Sequence, residues 1–181
     1  REARPDPAKL WDAALPVPGH PGLRVLSPVD MVLHSAVHLF HEGEFSHGLR
    51  GLFDLHRLLT HFGAQPGFWE ALPVRACALE VERSLFYALR YAVRLLGTAV
   101  PAPVLAAARG RPHPILLGCM DQLFERVLQP NHPDCGDWLG PPARFALYLR
   151  GNWLRMPPPL LARHLLRKAL ISGRKPVPEA G

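Results

Sequence analysis

Prolines divide this sequence into short segments, and their placement limits what the chain can fold into. Proline accounts for 21 of the 181 residues, about 12% against an average of about 5%. The prolines cluster between stretches of helical apolar periodicity, where proline begins one helix or ends another but disrupts a helix interior. No stretch has the alternating pattern of a β-strand. We therefore predict an all-α fold, an irregular bundle of about six to eight short helices with Pro-rich connections.

The same patterns predict a simple domain organisation. Residues 1–25 are expected to form a connector, 26–172 a helical domain and 173–181 a flexible tail. A chain of this length can bury a sizeable core without disulfides. Cys77, Cys119 and Cys135 are odd in number, widely spaced and without a CxxC motif. This pattern favours a reduced, cytoplasmic protein.

The most informative stretch begins with a predicted helix at Ser27. Ser27 suits the N-cap, Pro28 the first helical position, and Asp30 the first turn near the positive helix end. An apolar stripe at helical spacing comprises Val29, Val32, Leu33, Ala36, Val37 and Phe40. A second stripe, roughly 120° around the helix, comprises His34, His38 and His41. The histidines are therefore expected outside the core formed by the valines.

A second helix is predicted after a short connection, with Ser46 as its cap and Gly63 at its end. Its apolar side is rich in leucine, and its polar side comprises Arg50, Asp54, Arg57 and His61. Because the connection is short, the two helices are expected to pack as a hairpin. If both polar stripes face the same way, they share one groove.

The sequence leaves three interpretations of this groove open. It is a solvated surface in which Asp54 pairs with Arg50 and Arg57, each pair contributing about 0.3 kcal/mol. Alternatively it binds an anion or nucleotide, because arginine binds phosphate bidentately and a carboxylate can fix its geometry; the substrate-binding residues are then His34, His38, Arg50, Asp54 and Arg57. In the third interpretation His34, His38 and Asp54 hold a metal, although no established metal motif accompanies them.

Further helices are predicted beyond the hairpin. Pro66–Leu79 is expected to kink or break at Pro73, with Cys77 as small core filler. Glu82–Leu96 has the strongest helical pattern, ends at Gly97, and buries Tyr87 and Tyr91. A short helix is predicted at 101–108, a longer one at 114–128, and a final helical pair at 143–156 and 160–172.

The C-terminal end is basic. Between Arg144 and Lys175 the sequence has eight Arg or Lys and no Asp or Glu. Such an end is compatible with peripheral contact to an anionic membrane through 144–175, with binding to nucleic acid, with a solvated surface, or with docking to an acidic partner. No nucleic-acid-binding motif is present, and Trp138 and Trp153 are too isolated to form a stacking platform.

The motifs LSPVDMVLHSAVHLFHEG, LRGLFDLHRLL, FWEAL, ALRYAVRLLG and VPAPV occur in this order. Together they resemble the uncharacterised nucleotidyltransferase family, bacterial proteins with a nucleotidyltransferase-like core followed by a helical region. The resemblance spans roughly Lys9–Ala169, including GNWLRMPPPLLARHLLRKAL near its end. It implies that His34, His38, Arg50 and Asp54 contact the nucleotide or the acceptor substrate.

The resemblance also implies an upstream core with an Asp-x-Asp pair, which positions Mg²⁺ against a nucleoside triphosphate. This sequence has no such pair, and Asp134 and Asp137 lie in a Pro-rich loop. The chain is therefore expected to be the helical C-terminal part of a longer protein and not to be catalytic alone. Its expected partner is a nucleotidyltransferase core, in the same polypeptide or a separate one. The alternatives are a metal-dependent phosphohydrolase using His34, His38 and Asp54, and a non-enzymatic interaction module with a basic C-terminal helix pair.

Overall fold

A computed structural model describes residues 6–41, 43, 45–130 and 132–172 of the chain. The predicted flexible tail, 173–181, lies outside these residues, as do residues 1–5. The all-α prediction is confirmed: the described residues contain nine α-helices, one short 3-10 helix at Pro133–Cys135 and one pair of two-residue strands. The helices are α1 Pro7–Asp12, α2 Pro28–His41, α3 Gly48–Phe62, α4 Phe68–Ala78, α5 Glu82–Leu96, α6 Ala102–Ala107, α7 Pro114–Val127, α8 Gly140–Arg155 and α9 Pro158–Ser172.

The strand pair lies within the predicted connector. β1, Leu15–Pro16, pairs antiparallel with β2, Arg24–Val25. Sequence alternation did not predict these strands because two residues are too few to show a period of two. No helix in the described ranges is long and apolar enough to cross a membrane.

The start of α2 follows the predicted capping pattern. The backbone N–H of Asp30 donates to Ser27 Oγ at 3.2 Å, and Ser27 Oγ donates to Asp30 Oδ2 at 2.9 Å. The N–H of Met31 donates to the carbonyl oxygen of Ser27 at 2.8 Å. Ser27 is therefore the N-cap, since its side chain satisfies a first-turn N–H group that has no partner within the helix.

Asp30 also forms a buried ion pair that joins three helices. Its side chain is fully buried, and it accepts Arg75 Nε at 2.7 Å and Arg75 Nη2 at 2.9 Å. Arg75 Nη2 also donates to the carbonyl oxygen of Lys9, and Lys9 Nζ donates to that of Ala78. The Leu-Ser-Pro-x-Asp sequence thus connects α1, α2 and α4 and is structural here.

The core is centred on an aromatic cluster. Its five rings lie 5.0–6.1 Å apart between the centroids of contacting pairs and belong to Phe40, Phe45, Phe124, Tyr87 and Tyr91. The core positions predicted for Tyr87 and Tyr91 are confirmed, with 2% and 0% of their surfaces exposed. Because Phe124 comes from α7, the C-terminal helices complete a core that α2 and α5 begin.

An ionic cluster joins α5 to α7 beside these rings. Arg90 donates to Asp121 through Nε at 2.8 Å and Nη2 at 2.6 Å, and the Tyr91 hydroxyl donates to Asp121 at 2.9 Å. The Arg90 hydrogen bond holds the pKa of Asp121 below its ordinary value, against the opposing effect of burial. Burial, and then the hydrogen bond to Asp121, raise the pKa of Tyr91. Both shifts keep the carboxylate ionised and the hydroxyl protonated at neutral pH.

Three local predictions are wrong. The predicted break at Pro73 does not occur, because α4 continues through this residue. Cys77 is exposed and is not core filler, because the buried side of α4 is formed by Phe68, Leu72 and Ala76. Ser46 does not cap α3. The helix begins at Gly48, so the N-cap position is occupied by His47.

Candidate functional site

The polar stripes of α2 and α3 face one another across an open groove, the α2–α3 groove. Its volume is about 360 Å³. It is lined by His34, Ser35, His38, Leu39, Ser46, His47, Arg50, Gly51 and Asp54. The structure therefore brings together four of the five residues predicted to bind substrate.

Helical periodicity explains how these side chains meet. His34 and His38 are one turn apart on α2, and Arg50 and Asp54 are one turn apart on α3, so each pair shares a helix side. The apolar sides of both helices are occupied by the core, where Val32, Leu52 and Leu55 are fully buried. The polar sides are consequently left at the outer edge of the helix pair.

The floor of the groove is a close helix contact. A Cβ atom placed on Gly51 would lie 3.2 Å from Cδ1 of Leu39, and Leu39 is 6% exposed. A glycine at this position therefore lets α3 approach α2 closely. Because the floor is apolar and the walls are polar, a ligand would make its polar contacts with the walls.

Arg57 is the predicted site residue that the structure places elsewhere. It is exposed and does not line the groove. Periodicity correctly puts Arg57 on the same side of α3 as Arg50, but it lies about one turn beyond Asp54, past the end of the groove. Helical spacing defines an angle around the axis and not how far along the axis a groove extends.

Asp54 lines the same groove as Arg50 and lies near Arg57 on the same helix. In the part of the chain that the structure describes, no ion pair joins Asp54 to Arg50 or Arg57. The salt-bridged surface considered from the sequence is therefore not formed. Arg50 and Asp54 are exposed and available to a ligand.

The sequence interpretation missed several groove residues. His47 extends the polar side of α3 back by one turn, at i−3 from Arg50, and this spacing would have identified it. Ser46 lines the groove instead of capping the helix. The two residues add an imidazole and a hydroxyl to the wall formed by α3.

The structure does not form the alternative metal site. Among the described residues, no group of three or more His, Cys, Asp or Glu side chains is placed to hold a metal ion. His34, His38 and Asp54 are all described, so they do not form a ligand set although they line the same groove. Mg²⁺ at nucleotide sites is held by one or two carboxylates together with substrate phosphates, and Asp54 is the one carboxylate among the described residues that line the groove.

Comparisons with known proteins locate the groove within a recognised sequence family. Curated proteins and solved structures give no match. The family model described as "Uncharacterised nucleotidyltransferase" matches residues 1–97, which is more than half of the chain and includes both helices of the groove. The match ends well before Ala169, where the resemblance seen in the sequence ended. The chain belongs to the uncharacterised nucleotidyltransferase family.

Proposed function

We propose that the α2–α3 groove binds the phosphate groups of a nucleotide, or of its acceptor, for nucleotidyl transfer. The observation that carries this proposal is the convergence of Arg50, three imidazoles and two hydroxyls on one groove. The catalytic carboxylates and Mg²⁺ would come from a nucleotidyltransferase core, in the same polypeptide or in a partner. The chain described here would contribute binding and orientation.

The side chains of the groove suit phosphate better than a nucleobase. A guanidinium group binds phosphate oxygens bidentately, and imidazole and hydroxyl groups donate further hydrogen bonds. Among the described residues, the lining contains no Phe, Tyr or Trp on which a base could stack. The base of a bound nucleotide would therefore extend out of the groove, towards the nucleotidyltransferase core.

Asp54 has a different role in this proposal. A carboxylate repels phosphate but accepts hydrogen bonds from hydroxyl groups. Lying one turn from Arg50, it would bind a ribose or acceptor hydroxyl next to the phosphate site. A volume of about 360 Å³ is at the lower end of the range of ligand pockets and accommodates part of a nucleotide.

Calorimetric titration with Mg-NTP and with pyrophosphate tests the proposal. Arg50→Ala should weaken binding of both by about tenfold or more, because a charge-assisted hydrogen bond contributes about 2 kcal/mol. Arg57→Ala is the matched control: it removes an exposed arginine of the same helix that lies outside the groove, so affinity should be unchanged. Asp54→Ala removes both the proposed hydroxyl acceptor and the charge that repels phosphate, so the affinity for NTP should fall relative to the affinity for pyrophosphate, which has no ribose hydroxyl.

The same variants should be tested in a chain that carries a nucleotidyltransferase core. There Arg50→Ala should lower nucleotide transfer and Arg57→Ala should not. Equal effects of the two substitutions, or no effect of Arg50→Ala in either setting, would overturn the proposal.

A further inference from the structure

The outer surface of α9 combines exposed leucines with arginines. Leu160, Leu166 and Leu170 are 51%, 66% and 73% exposed, and Arg163 and Arg167 are exposed among them. At 100° per residue these five positions fall within about 120° of the helix circumference. The other side of α9 packs against the protein, where Leu161 is buried and His164 Nε2 lies 2.7 Å from the Tyr148 hydroxyl.

α8 also exposes large apolar side chains. Phe145 and Trp153 are 57% and 58% exposed, and they lie about 80° apart around the helix. Ala143, Leu147 and Gly151 occupy the buried side of α8. Single exposed apolar residues are ordinary, and the patch that indicates an interaction surface is the one on α9, where three exposed leucines share one side of the helix.

The charge of this region is of one sign. Between residues 138 and 178 the sequence has eight Arg or Lys and no Asp or Glu; residues 173–178 of that range lie outside those the structure describes. The partner should therefore be anionic and also present apolar groups. A second copy of the same surface fails the first condition because its arginines would repel. A nucleic acid fails the second, because its phosphates would leave the leucines in water.

We propose that the outer face of α9 docks on an anionic lipid surface. Its leucines enter the boundary between headgroups and acyl chains, while its arginines bind the headgroup phosphates. The surface lies outside residues 1–97, the range matched by the family model. Membrane contact would thus be separate from the groove, and neither proposal depends on the other.

Flotation with phosphatidylcholine vesicles, with and without phosphatidylglycerol, tests this inference. The protein should float only with the anionic vesicles, and increasing salt should release it. Arg163→Glu with Arg167→Glu should weaken binding by about tenfold or more, since each basic residue near the surface contributes severalfold. Leu166→Ser with Leu170→Ser should weaken binding at every salt concentration.

Matched control variants show whether a loss of binding is specific to the α9 surface or follows from any change in charge or hydrophobicity. Arg83→Glu changes an exposed arginine of α5, and Ile115→Ser changes an apolar residue of α7 that is 75% exposed; neither should affect flotation. Circular dichroism shows whether each variant remains folded. Absence of flotation, equal binding to neutral vesicles, or equal losses in the control variants would overturn the proposal. The proposal would also be overturned if the protein does not bind vesicles but forms a concentration-dependent dimer that the leucine substitutions abolish.

Discussion

Two aspartates near the N-terminal end of the fold have opposite environments. Asp30 is completely buried and bonded to Arg75, whereas Asp54 is exposed at the groove and forms no ion pair with Arg50 or Arg57 within the described ranges. Both stand in motifs that carry the family resemblance. Sequence alone did not separate a structural carboxylate from one that can contact a ligand, because the partner of Asp30 is 45 residues away.

Replacing Asp30 should destabilise the protein strongly. Asp30→Ala leaves the Arg75 guanidinium, of which 25% of the side-chain surface is exposed, without its carboxylate and removes the reciprocal cap with Ser27. Breaking one side of a buried ion pair costs about 3 kcal/mol, and we expect the free energy of unfolding in urea to fall by about that amount. Asp12→Ala, at an exposed residue of α1, is the control and should change it by less than about 0.5 kcal/mol. Similar losses for both variants would contradict a structural role for Asp30.

At the scale of elements, the sequence was most informative where a helix has a clear apolar period and a clear end. The predicted helix 82–96 has the observed bounds of α5, and Gly97 ends it with φ +63°. The sequence left open whether the two helices of the groove turn their polar sides together, and the structure brings His34 and His38 to the same groove as Arg50 and Asp54. The end of α3 at Gly63 was also predicted correctly, whereas its start and the continuity of α4 through Pro73 were not, because helix boundaries are the least certain part of a local pattern.

The connection between α2 and α3 contains a glycine in contact with α8. Gly43 has φ +79°, and a Cβ atom there would lie 2.7 Å from the carbonyl oxygen of Leu147 and 3.0 Å from Cα of Gly151. Both neighbouring atoms belong to backbone, so neither can move without shifting α8. This contact sets where the α8 helix lies against the hairpin that forms the groove.

Gly43→Ala should therefore lower the free energy of unfolding by more than the backbone strain alone would. The left-handed conformation costs a non-glycine residue about 1 kcal/mol, and the steric overlap should add about 2 kcal/mol. Gly67→Ala isolates the first contribution, because Gly67 has φ +77° and a Cβ atom there would have no neighbouring atom within 4 Å. We expect urea denaturation to show a loss of about 3 kcal/mol for Gly43→Ala and about 1 kcal/mol for Gly67→Ala. Equal losses would show that α8 does not pack tightly on this connection.

At the scale of the whole molecule, the family-matched residues and the helices beyond them share one core. Arg150 of α8 donates to the carbonyl oxygen of Phe40 at the end of α2, at 2.9 Å. The same guanidinium lies over the rings of Tyr87 and Phe124, 5.5 and 5.8 Å from their centroids. These contacts join residues that are far apart in sequence, and no local pattern indicates them. The sequence therefore predicted the helices but not which of them complete the core.

The shared core makes a prediction about cooperativity. Phe124 is fully buried against Phe40, Phe45, Tyr87 and Tyr91, so Phe124→Ala should leave a cavity between α7 and the family-matched helices and cost about 4 kcal/mol. Phe145→Ala is the control. It removes a ring that is 57% exposed and should lower the free energy of unfolding by less than about 0.5 kcal/mol. Urea unfolding followed by tryptophan fluorescence and by circular dichroism should give coincident single transitions for the unsubstituted chain, shifted to lower urea only by Phe124→Ala. Two separated transitions, with Phe124→Ala moving one of them, would show that residues 1–97 fold independently of the helices that follow.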